Sequence, residues 1–312
     1  MRAAVLPAHG AVPEAGTFED PTPAEGQEAV SVLAGGLNPV DIRIAQGNFP
    51  ADQRDPPYVP GKEGVGTLDD GTRVYFDPSV PPFGSYAERT LIAADSGFAV
   101  PDGLDDGVAV ALGIAGLAAW LALEWRGELE DGETVLVLGA SGVVGQIAVQ
   151  AARILGAGRV VAAARSADGL ARAEELGADA TARIEEGDDL TAAIREAAGG
   201  GIDLTVDPVW GAPAVAAIGA LNRFDRHVQL GQSAGAEATL TSAAIRTKPV
   251  SIIGHTNYAA DEARRRAAYQ RMAEHAAAGE IAVDVERVPL ADVADAWRRQ
   301  GESPNRKLVI VP

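Results

Sequence analysis

The chain contains no cysteine. That absence removes disulfides, thiolate metal ligands and cysteine nucleophiles together. Histidine is nearly as scarce: His9, His227, His255 and His275 are the four present, and none falls in a spaced metal motif such as H-E-x-x-H. Lysine occurs three times, at Lys62, Lys248 and Lys307, so arginine supplies nearly all the positive charge. Positive charge as a whole is in deficit, with 26 Lys and Arg against 44 Asp and Glu and a formal net charge of −18. An excess of that sign is repelled by nucleic acid and by anionic membrane at long range, so neither is expected as a partner. No apolar run reads as long and uncharged enough to span a bilayer. The opening Met1-Arg2-Ala3-Ala4-Val5-Leu6-Pro7 is too short an apolar stretch for a signal peptide and reads as a first strand, which makes the cytoplasm the expected location.

What is present has a globular balance. The 312 residues suffice for two domains with separate cores, and 47% are hydrophobic against 22% charged. Up to about residue 110 the chain is rich in Pro, Gly and β-branched residues. Short runs such as Glu28 to Ala34 and Gly71 to Phe76 predict twisted strands in a barrel-like domain. The Ala- and Leu-rich stretch from about Val108 to Leu123 predicts a helix leading to the most informative segment, Glu133 to Gly145.

There an apolar strand, Thr134 to Leu138, runs into Gly139-Ala140-Ser141-Gly142-Val143-Val144-Gly145 and then into a helical pattern. Gly139, Gly142 and Gly145 recur at every third position. Such a turn lets the backbone approach a pyrophosphate, while the helix start offers it unpaired N–H groups and a favourable dipole. Ala148, Ala151, Ala152 and Leu155 share a helical face and Gly156 stops the helix. Arg159 to Ala164 then reads as a second buried parallel strand, completing a strand–helix–strand unit. A plain crossover with a glycine-rich turn is the alternative.

The end of that second strand selects the cofactor. An NAD-type site places an Asp or Glu there for the ribose hydroxyls. This chain has Ala164-Arg165-Ser166. Arg165 can stack on adenine and pair with a 2′-phosphate, and Ser166 can donate to it, so NADPH is expected over NADH. A solvated surface arginine is the competing reading. Strands continue at Ile202 to Val206, His227 to Leu230 and Val250 to Ile253, alternating with helices at Asp168 to Leu176 and Ala212 to Leu221. This predicts an α/β fold with a doubly wound parallel sheet. Ligands bind beyond the carboxyl ends of such strands, which marks Asp207-Pro208-Val209, Gly231-Gln232-Ser233 and His255-Thr256-Asn257 as cofactor-facing loops. The final strand, Arg306 to Val311, is expected to return to the first domain, so that the nucleotide domain is inserted in it.

In order along the chain, the motifs resemble the medium-chain dehydrogenase/reductase superfamily, in its zinc-independent quinone oxidoreductase branch. Asn38-Pro39-Val40-Asp41 is similar to the branch's Asn-Pro-x-Asp segment. Pro60-Gly61-Lys62-Glu63-Gly64-Val65-Gly66 resembles its Pro-Gly-x-Glu-x-x-Gly turn, and Gly84-Ser85-Tyr86-Ala87-Glu88 its Gly-x-Tyr-Ala-Glu. Pro289 to Ala296 looks like the superfamily's late helix. The resemblance implies a Rossmann NADPH-binding domain at 112–257, inserted in a GroES-like β-barrel catalytic domain formed by 1–111 and 258–312. Zinc-dependent relatives hold their metal with a Cys near the Asn38 position and a His near the Lys62 position, so no metal is expected here. Arg43 stands where the branch commonly has Tyr, and Ala118 where many relatives have Thr.

Without a metal, hydride addition to a quinone or α,β-unsaturated carbonyl needs a donor for the developing oxyanion. Asn38 is the first candidate for that role, with contacts to both acceptor and cofactor. Arg43, Lys62 and Tyr86 are the others, and Lys307 is placed with the cofactor. Structural roles compete for each: Asn before Pro sets turns, and Asp41 caps a helix. The acceptor pocket is expected from Asn38 to Phe49, around Tyr86, and near Asn257 and Tyr258. Two alternatives stay open, an enoyl-thioester reductase and a non-catalytic NADPH-binding sensor or partner protein. The resemblance also implies a homodimer built on an edge strand, for which Val250 to Ile253 is the candidate.

Overall fold

A computed structural model gives the fold, and the structure describes residues 1–50, 52–185 and 189–312. The chain divides into two compact units. The first comprises Met1–Ile114, Tyr269–Gly279 and Val283–Pro312; the second comprises Ala115–Ala268 and Glu280–Ala282. Residues 258–268, expected with the first domain, therefore cluster with the second. A physical reason is visible at Arg264, whose guanidinium lies 5.2 Å over the Trp125 ring of that unit.

The first unit begins with strands β1 (Arg2–Val5), β2 (Glu14–Thr17), β3 (Gln27–Gly36), β4 (Glu63–Leu68), β5 (Arg73–Phe76), β6 (Arg89–Ala93) and β7 (Phe98–Ala99). The second unit contributes β8 (Thr134–Leu138), β9 (Arg159–Ala164), β10 (Ala180–Arg183), β11 (Ile202–Asp207), β12 (Leu221–Gln229) and β13 (Ser251–Gly254). The chain then returns to the first unit with β14 (Val285–Pro289) and β15 (Lys307–Val311).

In the first unit β1 and β2 form a hairpin, and a seven-stranded sheet runs β14-β15-β3-β4-β5-β7, with β6 also pairing with β3. β15 pairs antiparallel with β3, Val309 opposite Gly36 and Ile310 opposite Gly35. The last strand thus returns to the first unit, as expected from the sequence. That pairing sets Lys307 beside the end of β3, where the buried polar cluster described below forms.

The second unit is a six-stranded parallel sheet in the order β10-β9-β8-β11-β12-β13. The order reverses between β8 and β11, and in open parallel sheets ligands bind beyond the strand ends at such a switch point. Its central strands are buried throughout: Val135, Leu136, Val137, Leu138 and Val160 to Ala163 are all fully shielded.

Two readings of the sequence need correcting. The helical stretch Asp106–Arg126 is long and apolar enough to cross a membrane by length and composition, although 78% of its apolar window is buried inside the protein. It is also not one regular helix, because Gly113, with ψ of −112°, kinks it. Strand β12 starts at Leu221, six residues before His227, and Asn222, Arg223 and Phe224 near its start are exposed.

Candidate functional site

The glycine turn follows β8 as predicted, and its three glycines have different physical reasons. Gly139 has φ of +61°, a left-handed conformation that favours glycine. Its carbonyl accepts from the Gly142 N–H at 3.0 Å, closing the turn. At Gly145 a Cβ would stand 2.4 Å from the Gly139 oxygen and 2.5 Å from the Ala140 Cα, so the helix Val143–Ile154 packs there without a side chain. Gly142 is unlike both. Its φ of −78° and ψ of 165° suit any residue, and a Cβ would meet only the Gly139 oxygen at 3.5 Å. Neither packing nor backbone requires glycine at 142, which leaves open space in front of an N-cap that has no side-chain capping bond. Ala140 is buried, while Ser141, Val143 and Val144 are half-buried around that space.

β9 ends at buried Ala164, followed by exposed Arg165. Ser166 caps the helix Ala167–Glu175, its Oγ accepting from the Gly169 N–H at 3.2 Å. A hydroxyl that accepts one bond keeps its proton for another acceptor.

The loops after β11, β12 and β13 lie at the carboxyl ends of the same sheet. Asp207 is fully buried, and its Oδ1 accepts from the N–H groups of Val209 and Trp210, each at 2.8 Å. Pro208 and Val209 lie against the glycine turn: a Cβ on Gly139 would be 2.7 Å from Val209 Cγ1 and 3.4 Å from Pro208 Cγ. The Ala234 N–H donates to the Val209 carbonyl at 2.8 Å, tying in the Gly231-Gln232-Ser233 loop, where Gln232 and Ser233 are exposed. After β13, His255 is buried, its Nε2 is 3.2 Å from Asn257 Oδ1, and Thr256 is exposed. Burial holds the His255 imidazole down to about 4.

The candidate catalytic residues all lie in the first unit, in two groups. Asn38 caps the helix Pro39–Ala45, and Asp41 Oδ2 accepts from the Asn38 N–H at 2.8 Å. The other Asp41 oxygen accepts from the Lys62 N–H at 3.0 Å. Burial pushes the Asp41 carboxyl up to about 6 against those two stabilising bonds. The Asn38 side chain is fully engaged. Its Oδ1 accepts from Lys307 Nζ at 2.7 Å, while Nδ2 donates to Glu63 Oε1 at 2.8 Å and to the Gly36 carbonyl at 3.2 Å. An ammonium can only donate, so this contact fixes which way the amide points. Both amide protons are therefore taken, and neither is left for an acceptor oxyanion.

Glu63 is the centre of this cluster. It is 0% exposed, and it accepts from Lys307 Nζ at 2.6 Å, Tyr75 OH at 2.9 Å and the Ile114 N–H at 2.7 Å. Lys307, expected at the cofactor, lies in this pair. Tyr86 is buried and donates its hydroxyl to the Gly36 carbonyl at 3.1 Å, and burial holds that phenol well above its usual range. Lys62 is also buried, with Nζ 3.1 Å from Asp77 Oδ1. Arg43 differs from the other three. It is exposed, with its guanidinium 5.9 Å over the Phe49 ring. Sequence reasoning quoted Glu63 within a motif but gave it no role, and passed over Tyr75. The signal for Glu63 was an acid opening the otherwise uncharged strand Glu63–Leu68, matched by a lysine opening an apolar final strand. Among the described residues no group of three or more His, Asp or Glu is arranged to hold a metal ion.

A family profile described as "Zinc-binding dehydrogenase" matches residues 143–276. The chain is 28% identical over 303 residues to a phenolphthiocerol/phthiocerol polyketide synthase of Mycobacterium tuberculosis, covering 93% of this chain and 14% of that protein. It is 35% identical over 148 residues to the quinone oxidoreductase of Homo sapiens, covering 44% of each. The chain thus spans less than half the length of these relatives. Among solved structures, the quinone oxidoreductase of Thermus thermophilus, also determined in complex with NADPH, superposes with a TM-score of 0.82. That match has 29% identity and covers 100% of both chains.

Proposed function

Because the chain belongs to the medium-chain dehydrogenase/reductase superfamily, in its quinone oxidoreductase branch, we propose that it is an NADPH-dependent oxidoreductase of quinones or α,β-unsaturated carbonyls. The observation that carries this reading is the open space at Gly142, at the switch point of a parallel sheet. A glycine that the protein itself does not need there is accounted for by a ligand whose phosphates approach the backbone. Arg165 and Ser166, at the end of β9, are the residues that would hold a 2′-phosphate.

When bound, NADPH supplies a hydride. The chain's own task is then to orient the acceptor and stabilise the charge that develops on its oxygen. Asn38, Lys62 and Tyr86 are bound into internal pairs, so their work is to fix the framework. Arg43 makes no ion pair among the described residues, and its forked donors suit an oxyanion. Arg43 is accordingly assigned the electrostatic role. A catalytic zinc does not fit these residues, because the Asn38 oxygen accepts from an ammonium and Lys62 is itself a cation paired with Asp77.

The polyketide synthase relative favours a second reading, reduction of an enoyl thioester, since that match runs along 93% of the chain. One assay separates the readings: NADPH oxidation across a panel of quinones, enals, enones and a short enoyl thioester. Turnover confined to the thioester selects the second reading. NADPH binding with no turnover on any member refutes both. A homodimer through β13 belongs to the same proposal, because β13 is an edge strand with Ile252 37% exposed. A monomer in sedimentation at micromolar concentration refutes that part.

A further inference from the structure

His227 was passed over in the sequence as a strand residue, and it proves to be one half of a wholly buried pair. Its Nε2 is 2.8 Å from Asp207 Oδ2, and both side chains are 0% exposed. β12 runs parallel to β11 with Thr205 opposite His227, and Asp207 closes β11. The second Asp207 oxygen holds the N–H groups of Val209 and Trp210. Trp210 carries φ of +57°, a conformation that a tryptophan keeps only where its surroundings impose it. Its ring centroid is 6.1 Å from that of His227. The loop held in this way places Pro208 and Val209 against Gly139 of the glycine turn.

A chain of contacts therefore runs from His227 through Asp207 to the loop, and from the loop to the turn. A carboxylate free to rotate would lose the direction in which Oδ1 accepts its two N–H bonds. The ring N–H donating to Oδ2 removes that freedom. From this geometry we propose that His227 is a positioning residue for nucleotide binding, acting through the Asp207 carboxylate on the shape of the glycine turn. The proposal rests on the nucleotide-binding reading above.

Two polar substitutions distinguish positioning from packing, because each copies one ring nitrogen. His227→Gln carries an amide NH2 near the place of Nε2 and can still donate to Asp207. His227→Asn reaches only the place of Nδ1, which has no hydrogen-bond partner in the structure. The expected result is that H227Q keeps the wild-type KM for NADPH, while H227N raises it by about tenfold or more with a smaller change in kcat. Amide hydrogen exchange at Val209 and Trp210, in the protein without nucleotide, should speed up in H227N and not in H227Q. The proposal is overturned if the two variants behave alike in exchange and in KM, whether both match the wild type or both lose. Failure of the nucleotide-binding reading looks different: the wild type itself would then bind no NADPH, and that result also removes the proposed purpose of the pair.

Discussion

The three glycines of the turn allow a prediction in which stability and binding separate. Replacing Gly145 by Ala puts a methyl 2.4 Å from the Gly139 oxygen and 2.5 Å from the Ala140 Cα. Both obstacles are backbone, so the helix must lift from the strand. Overpacking of this kind costs about 1–3 kcal/mol. For a chain of this size that lowers Tm by roughly 2–4 °C per kcal/mol, so a fall of about 2–12 °C is expected. Replacing Gly142 by Ala meets nothing closer than 3.5 Å at an ordinary φ of −78°. An N-cap loses about 0.5–1 kcal/mol when glycine becomes alanine. Reduced freedom of the unfolded chain returns about 0.4–1 kcal/mol. Tm should therefore stay within about 2 °C of the wild type. The methyl would nevertheless occupy the space that a pyrophosphate needs, so the Kd for NADPH should rise by about tenfold or more, equivalent to at least ~1.4 kcal/mol. Thermal melts by circular dichroism and NADPH titration by fluorescence measure both quantities. A G142A protein that melts like G145A, or that binds NADPH like the wild type, refutes the assignment of that space to a ligand.

Arg165→Ala should raise the KM for NADPH and leave that for NADH nearly unchanged; an unchanged preference in steady-state kinetics removes Arg165 from the site. Lys307→Met strands the buried Glu63 carboxylate and should cost about 3–5 kcal/mol in urea unfolding, most of it recovered in K307M/E63Q. Two buried groups should give opposing pH dependences. Asp41 is raised from 3.8 to about 6, so the unfolded chain releases that proton first and stability falls as pH rises between those values. His255 is lowered from 6.5 to about 4, so the unfolded chain takes up that proton first and stability falls as pH drops through this window. Asp225, raised to about 6, contributes with the same sign as Asp41, so the variants are read against the wild type: between about pH 4 and 6.5 the slope of stability against pH should become more positive in D41N and more negative in H255Q, each by at most ~1.4 kcal/mol per pH unit; equal slopes in both variants would refute the pair of assignments.

Most of the nucleotide unit was legible because its signals are local. A buried strand, a glycine every third residue and an apolar helix face occupy one continuous segment, and each repeats what the others say. What was missed depends on contacts between distant segments. In the first half of β12, Leu221 to Arg226, the apolar Leu221 and Phe224 are separated by polar residues, so no apolar run marks it; pairing of Leu221 and Arg226 with β11, and of Arg226 with β13, includes it in the strand. The kink at Gly113 leaves no mark in an Ala- and Leu-rich pattern. The Lys307–Glu63 pair joins residues 244 apart, and it changes the meaning of Asn38. From sequence Asn38 is an amide with two protons to give; in the fold both are already given.

The scarcity of lysine takes on a sharper meaning once each lysine is placed. Lys307 is bound to Glu63 and Asn38. Lys62 is paired with Asp77. Lys248 donates to the carbonyls of Gly219 at 2.6 Å and Leu221 at 2.9 Å. All three ammonium groups are spent on architecture. A protein of net charge −18 that takes up an anionic dinucleotide must then meet its phosphates by other means. The means available are the backbone N–H groups at the start of the helix Val143–Ile154 and the arginine that follows β9. Backbone donors cannot be removed by changing a side chain; they are lost when the turn changes shape. This is why shape carries so much weight here: the close approach at Gly145, the open space at Gly142, and the loop that Asp207 and His227 hold against Gly139 all bear on the same few N–H groups.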